Sequence, residues 1–198
     1  MGRLLGHRDT PRQKAVKRHC NKNHPFSGTS KYEKVFMAGK SGGKLALEAV
    51  KALVAQRVNS SGFESIFKQM NVVSASDGKC CCELKVQPNM LNVAGNLHGG
   101  VTAALVDAVS TYALTTTGQG RPGSSIELNV SYLRPIKKDD SIVISAQTLR
   151  CGSTLAVCTV DLTNKSNGQL VAHGKHCKYV GETKAQRLVQ KKDTLSDS

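Results

Sequence analysis

The chain has no tryptophan, and aromatic residues make up only 4% of its 198 positions. A core must therefore be filled by Val, Leu, Ile and Ala rather than by large rings. No apolar run approaches the ~20 residues of a membrane-spanning helix, and none follows the basic N-terminus as a secretory leader would require. The seven cysteines (Cys20, Cys80, Cys81, Cys82, Cys151, Cys158 and Cys177) contain no CxxC pair. Cys80 to Cys82 stand in a row within an alternating segment, where neighbours point to opposite sheet faces, which is poor disulfide geometry. They read as small apolar side chains of a protein in a reducing compartment, mitochondrial or cytoplasmic. His19, Cys20 and His24 form the one cluster resembling metal ligands; it lacks a fourth ligand, and no metal is expected.

Acidic residues are also scarce, 14 against 28 Lys and Arg, a formal charge of +14. That imbalance is local. Residues 1–43 hold ten Lys/Arg against two acidic residues, whereas residues 70–180 hold ten against seven. The segment 1–43 is polar and basic without sustained periodicity, so it is expected to be a disordered extension. It is basic and acid-poor as a transit segment is, but only weakly amphipathic. A basic arm can also meet RNA or an anionic membrane; the near-balanced remainder argues against a nucleic-acid-binding domain.

One domain is expected over residues 44–181, followed by a polar tail, 182–198. Lys44–Val58 is helical, with Leu45, Ala49, Ala52, Leu53 and Gln56 at three-four spacing. Phe63–Met70 adds a further helical turn. Asn71–Ser76 and Lys79–Val86 alternate as strands around Ser76-Asp77-Gly78, a hairpin signal. Four more extended stretches follow: Ser124–Leu133, Asp140–Leu149, Thr154–Thr163 and Leu170–Val180. The first alternates Ile126, Leu128, Val130 and Tyr132 against Ser125, Glu127, Asn129 and Ser131. Short turns between them make an antiparallel meander.

Between the two groups of strands lies NVAGNLHGGVTAALVDAVS, Asn92–Ser110. Two glycines open a helix that is apolar almost all round and therefore expected to be buried. Six strands and one buried helix make an α+β architecture in which the sheet curls around that helix. In its middle stands one carboxylate, Asp107, with no basic residue within a helical turn. An unpartnered charge entering a core is costly and points to function.

HGG opening an apolar helix, an Asp eight residues after the first Gly, and a Ser-bearing strand together resemble the hot dog fold acyl-coenzyme A thioesterases. The segments that carry the likeness are LNVAGNLHGGVTAALVDAVST, GRPGSSIELNVSYLRP and VDLTNKSNGQLVAHGKH; coverage runs from about Lys44 to Gly181. The resemblance implies a hot dog fold and functional residues at Asn92, His98, Gly99, Asp107 and Ser125. It implies that coenzyme A lies along Tyr132, Leu133, Arg134, Pro135, Ile136 and Lys137, and along Arg150, Cys151, Gly152, Ser153, Thr154 and Leu155. It implies hydrolysis of medium- to long-chain fatty acyl-coenzyme A, without a cofactor beyond the coenzyme A of the substrate, by a homotetramer of two dimers.

Thioester hydrolysis needs a donor for the oxyanion and a base or nucleophile opposite it. The unpaired N–H groups at a helix start supply the first. Asp107 supplies the second, as general base or as nucleophile. Asn92 could orient water or thioester, or only form a turn; His98 could tune the site, or only make a helix-start hydrogen bond; Ser125 could position water. Eight helical residues rise ~12 Å, too far for Asp107 to serve a thioester held at Gly99 of its own chain. If both serve one substrate, the second must come from another copy across a two-fold axis. The alternative is a non-catalytic acyl-coenzyme A-binding or scaffold protein on the same fold.

Overall fold

The computed structural model describes residues 43–181. The expectations for the basic extension, the His19, Cys20 and His24 cluster and the C-terminal tail lie outside the described residues.

Helix α1 (Gly43–Val58) buries Ala46, Val50, Leu53, Val54 and Val58. This corrects the expected stripe, since Leu45 is 49% exposed. Both stripes obey three-four spacing, but the one adopted turns three valines inward and so removes more apolar area from water. Phe63–Phe67 is a 3-10 turn rather than an α-helical one. It places Phe67 in the core, with Phe63 edge-on to it at a centroid distance of 6.3 Å.

Strands β1 (Asn71–Ser76) and β2 (Lys79–Lys85) form the expected hairpin. Asp77 and Gly78 both take positive φ, 47° and 76°, as a type I′ turn requires. Strands β3 (Ser124–Tyr132), β4 (Ser141–Cys151), β5 (Leu155–Asn164) and β6 (Leu170–Tyr179) complete one antiparallel sheet in the order β1-β2-β4-β5-β6-β3. This corrects the expected four-strand meander: β4 pairs with β2, and β3 pairs with β6 at the edge. The strand ends differ from the expected ones by one or two residues. The described cysteines are free, and Cys80 and Cys82 point into the core as small apolar side chains.

Helix α2 (Gly99–Thr115) contacts all six strands. Its approach to β6 depends on Gly174, where a Cβ would lie 2.5 Å from Val106 Cγ1. Leu105, Val106, Val109 and Tyr112 are fully buried. The helix is not enclosed on every side, however. Gly100, Ala103 and Asp107 follow one another at three-four spacing along an uncovered stripe, and the Asp107 side chain is 51% exposed. The expectation that this carboxylate enters the core is thereby corrected: the sheet of one chain covers only part of the helix. The β3 edge of the sheet is open too, since β3 pairs only with β6 among the described residues. No described helix is long and apolar enough to cross a membrane.

Candidate active site

The loop before α2 is tied down at every turn. Asn92 Oδ1 accepts from the N–H groups of Ala94 (3.0 Å) and Asn96 (3.1 Å), and the Asn92 N–H donates to Asn96 O (2.8 Å). Asn92 therefore forms the turn, with its amide oxygen committed to the loop. The Leu97 N–H donates to Ile136 O and the His98 N–H to Met90 O, fixing where the helix starts.

His98 caps α2. Its Nδ1 accepts from the Gly100 N–H at 2.9 Å, and its carbonyl accepts from Val101 and Thr102. The helix-start bond is thus what His98 makes. The ladder begins with Thr102, so the N–H groups of the first three helical residues lie outside it. Those of Gly100 and Val101 are taken by His98; that of Gly99 meets no acceptor among the described residues. It borders an open cleft of about 360 Å³ lined by Asn92, Gly99, Thr102, Tyr132, Leu133, Arg134, Pro135, Ile136, Val171 and Ala172 among others. The Tyr132 hydroxyl donates to Gly99 O at 3.2 Å, and its ring lies against the Gly99 Cα.

Asp107 has a basic partner after all, brought by the sheet rather than by the helix. Lys178 Nζ on β6 lies 3.6 Å from Asp107 Oδ1 and donates to Thr111 Oγ1 at 2.7 Å. His176, two residues earlier and on the same face of β6, has Nδ1 3.7 Å from the same oxygen. His176 and Lys178 are both buried. Burial drives the pKa of His176 down to about 4, with the Lys178 charge acting in the same direction and Asp107 against it. Burial also lowers that of Lys178, opposed by Asp107.

The hydroxyls around His176 fix its tautomer. Ser110 Oγ donates to Asp107 O at 3.0 Å and meets His176 Nδ1 at 2.7 Å. With the Ser110 proton so used, Nδ1–H must donate to Ser110. Nε2 then accepts from Ser125 Oγ at 2.9 Å.

Strict alternation places Ser125 on the outer face, with Glu127, Asn129 and Ser131. The structure corrects this through a β-bulge. Ser125 pairs with Lys178 and Glu127 with Cys177, so Ile126 is an extra residue in β3. Beyond it Leu128, Val130 and Tyr132 share the sheet face of His176, Gly174 and Ala172, and the bulge turns Ser125 to that same face. His176, Lys178, Ser110 and Thr111 were not singled out from sequence. The available signal was the inward phase of β6 (Ala172, Gly174, His176, Lys178, Val180), where two titratable residues occupy apolar positions.

The two expected coenzyme A segments do not meet within one chain. Tyr132–Ile136 line the cleft beside Gly99, whereas Lys137 does not; its N–H donates to Asp140 Oδ2. Arg150–Leu155 run from the end of β4 through the turn into β5, and Gly152 O in that turn accepts from Gln119 just beyond the far end of α2. Among the described residues no group of three or more His, Cys, Asp or Glu is placed to hold a metal ion.

Residues 94–171 match the family model described as thioesterase superfamily. Human acyl-coenzyme A thioesterase 13 is 46% identical over 134 residues, which span 68% of this chain and 93% of that protein. The crystal structure of zebra fish thioesterase superfamily member 2 is similar with a TM-score of 0.67 and 44% identity, covering 68% of this chain and 98% of that one. A hypothetical thioesterase of Streptococcus pneumoniae, solved with coenzyme A, has a TM-score of 0.55 and 29% identity, over 58% of this chain and 88% of its own.

Proposed function

The chain belongs to the thioesterase superfamily, and from that membership we propose that it hydrolyses acyl-coenzyme A to a free acid and coenzyme A, with medium- to long-chain fatty acyl groups as substrates. The observation that carries the reading is a pair of groups on α2: an unfilled N–H at Gly99, in a cleft, and a half-exposed carboxylate at Asp107. They are the two parts that thioester hydrolysis requires.

In the proposed reaction the thioester oxygen accepts from the Gly99 N–H, where the positive end of the helix dipole favours the developing negative charge. A water molecule, oriented by Ser125, attacks the carbonyl carbon and gives its proton to Asp107. The tetrahedral intermediate collapses, the carbon–sulfur bond breaks, and coenzyme A leaves as thiolate, taking up the proton held by Asp107 and so restoring the carboxylate. The neutral His176 ring draws the Ser125 proton toward Nε2, which leaves the Ser125 lone pairs free for the water. Asn92 holds the loop, and His98 takes the Gly100 N–H so that Gly99 alone faces the substrate. Leu133, Ile136, Val171 and Ala172 supply an apolar wall to the cleft.

A dimer is part of the proposal. Gly99 and Asp107 are separated by ~12 Å of helix rise, and Asp107 of the partner subunit would face the first chain's Gly99 if two α2 helices ran antiparallel. The same arrangement would bring the partner subunit's Arg150 to the Gly99 end, reuniting the two coenzyme A segments. The free edge of β3, with Ile126, Leu128 and Tyr132 exposed at 56%, 39% and 58%, is the surface such a pairing would use. Two such dimers would form the tetramer that the resemblance implies.

The test is steady-state kinetics of wild type and Asp107→Asn on saturated acyl-coenzyme A esters of increasing length. The expected result is a loss of kcat of roughly 10²- to 10⁴-fold in the variant and a rise of wild-type kcat/KM with chain length. Hydrolysis unchanged in Asp107→Asn would sink the catalytic assignment and leave a cleft that binds acyl-coenzyme A without cleaving it.

A further inference from the structure

We propose that Lys178 is a positioning residue for this reaction: it anchors Asp107 through Oδ1 and thereby reserves Oδ2 as the oxygen that receives the proton from water. The inference rests on the reading of Asp107 as the catalytic carboxylate.

The geometry is one-sided. Lys178 Nζ and His176 Nδ1 approach the same carboxylate oxygen, at 3.6 and 3.7 Å. Lys178 also grips Asp107 a second time, because its Nζ donates to Thr111 Oγ1 and Thr111 in turn donates to the Asp107 carbonyl at 2.8 Å. At 3.6 Å the ammonium attracts the carboxylate by charge rather than by a full hydrogen bond. Lys178 is 3% exposed and lies near the end of β6, paired with Ser125 on one side and Ala156 on the other, so the anchor is set by the sheet. A buried lysine is costly unless its charge is matched, and here the match is the half-exposed carboxylate on α2. The charged and titratable groups that face Lys178 are Asp107 on α2, His176 on β6, Cys158 on β5 and Arg57 on α1. Burial makes Lys178 give up its proton more readily than an exposed lysine, against the pull of Asp107. Once it does, Asp107 is left with no cation on Oδ1.

The experiment is the pH dependence of kcat and KM from neutral to alkaline pH, with the full chain and one saturated acyl-coenzyme A ester, corrected for spontaneous hydrolysis. Wild type is expected to lose kcat on an alkaline limb below the ordinary lysine range. Lys178→Met should lower neutral kcat about ten- to hundredfold with KM within about threefold, and should abolish the limb. Lys178→Arg, which keeps the charge, should recover part of kcat and move the limb upward. A Lys178→Met enzyme with wild-type kcat and an unchanged limb would overturn the inference. If neither variant folds, the wild-type profile decides, and a kcat flat through the lysine range overturns it. Asp107→Asn separates the two readings: activity retained there removes the catalytic carboxylate itself, whereas an inactive Asp107→Asn beside an unaffected Lys178→Met removes only the role of Lys178.

Discussion

Ser110 and Ser125 are joined by His176, a ring whose charge the fold opposes: burial and the Lys178 ammonium together push its pKa down to about 4 from 6.5. Between those two values the unfolded chain binds a proton that the folded chain refuses, so stability rises with pH through that window. The contribution is complete above about 6.5 and is lost as pH falls toward 4. Its ceiling is on the order of 3 kcal/mol. Urea unfolding of wild type and His176→Asn at neutral pH and near pH 4.5 should show the wild type losing more stability than the variant over that interval. Equal losses would mean that His176 is not held neutral. The same ring accepts from Ser125, so on the proposed mechanism activity and acid stability would share one residue.

At the scale of elements, the bulge in β3 decides which residues the site contains. Ile126 is the extra residue, and the bulge absorbs it so that Ser125 pairs with Lys178. Deleting Ile126 brings Ser125 next to Glu127, so Ser125 still pairs with Lys178 and keeps the face of His176. The expected outcome is a kcat within about threefold of wild type, whereas Ser125→Ala should lower it roughly ten- to hundredfold. A deletion as inactive as Ser125→Ala would show that the bulge itself, rather than the pairing with Lys178, aims Ser125. The strands, the Asp77-Gly78 hairpin and the central helix were legible in the sequence because each rests on local periodicity or turn chemistry. The buried face of α1 was misplaced because two stripes satisfy the same spacing and only the opposing sheet chooses between them. The bulge, and the meeting of Lys178 and His176 with Asp107, depend on strand register. Local spacing does not encode the register of strands brought together from distant parts of the chain. That Gly99, His98 and Asn92 lie together was legible because the loop and helix start that position them are continuous in sequence.

For the whole molecule, the proposed mechanism divides each site between two chains. The uncovered stripe of α2, the free edge of β3 and the separation of the two coenzyme A segments all concern the same open side of the fold. A second copy across a two-fold axis would cover that side and create two equivalent sites. The most direct test is complementation between Gly99→Pro and Asp107→Asn subunits. Proline suits the first helical position, and His98 before it is already extended (φ −65°, ψ 134°), so Gly99→Pro removes one N–H donor and leaves the helix start intact. Each variant alone should be inactive. Co-refolded in equal amounts, half of the dimers are mixed and each mixed dimer carries one intact site, so about a quarter of wild-type activity should return. A mixture that stays as inactive as its parents would contradict a site shared between two chains.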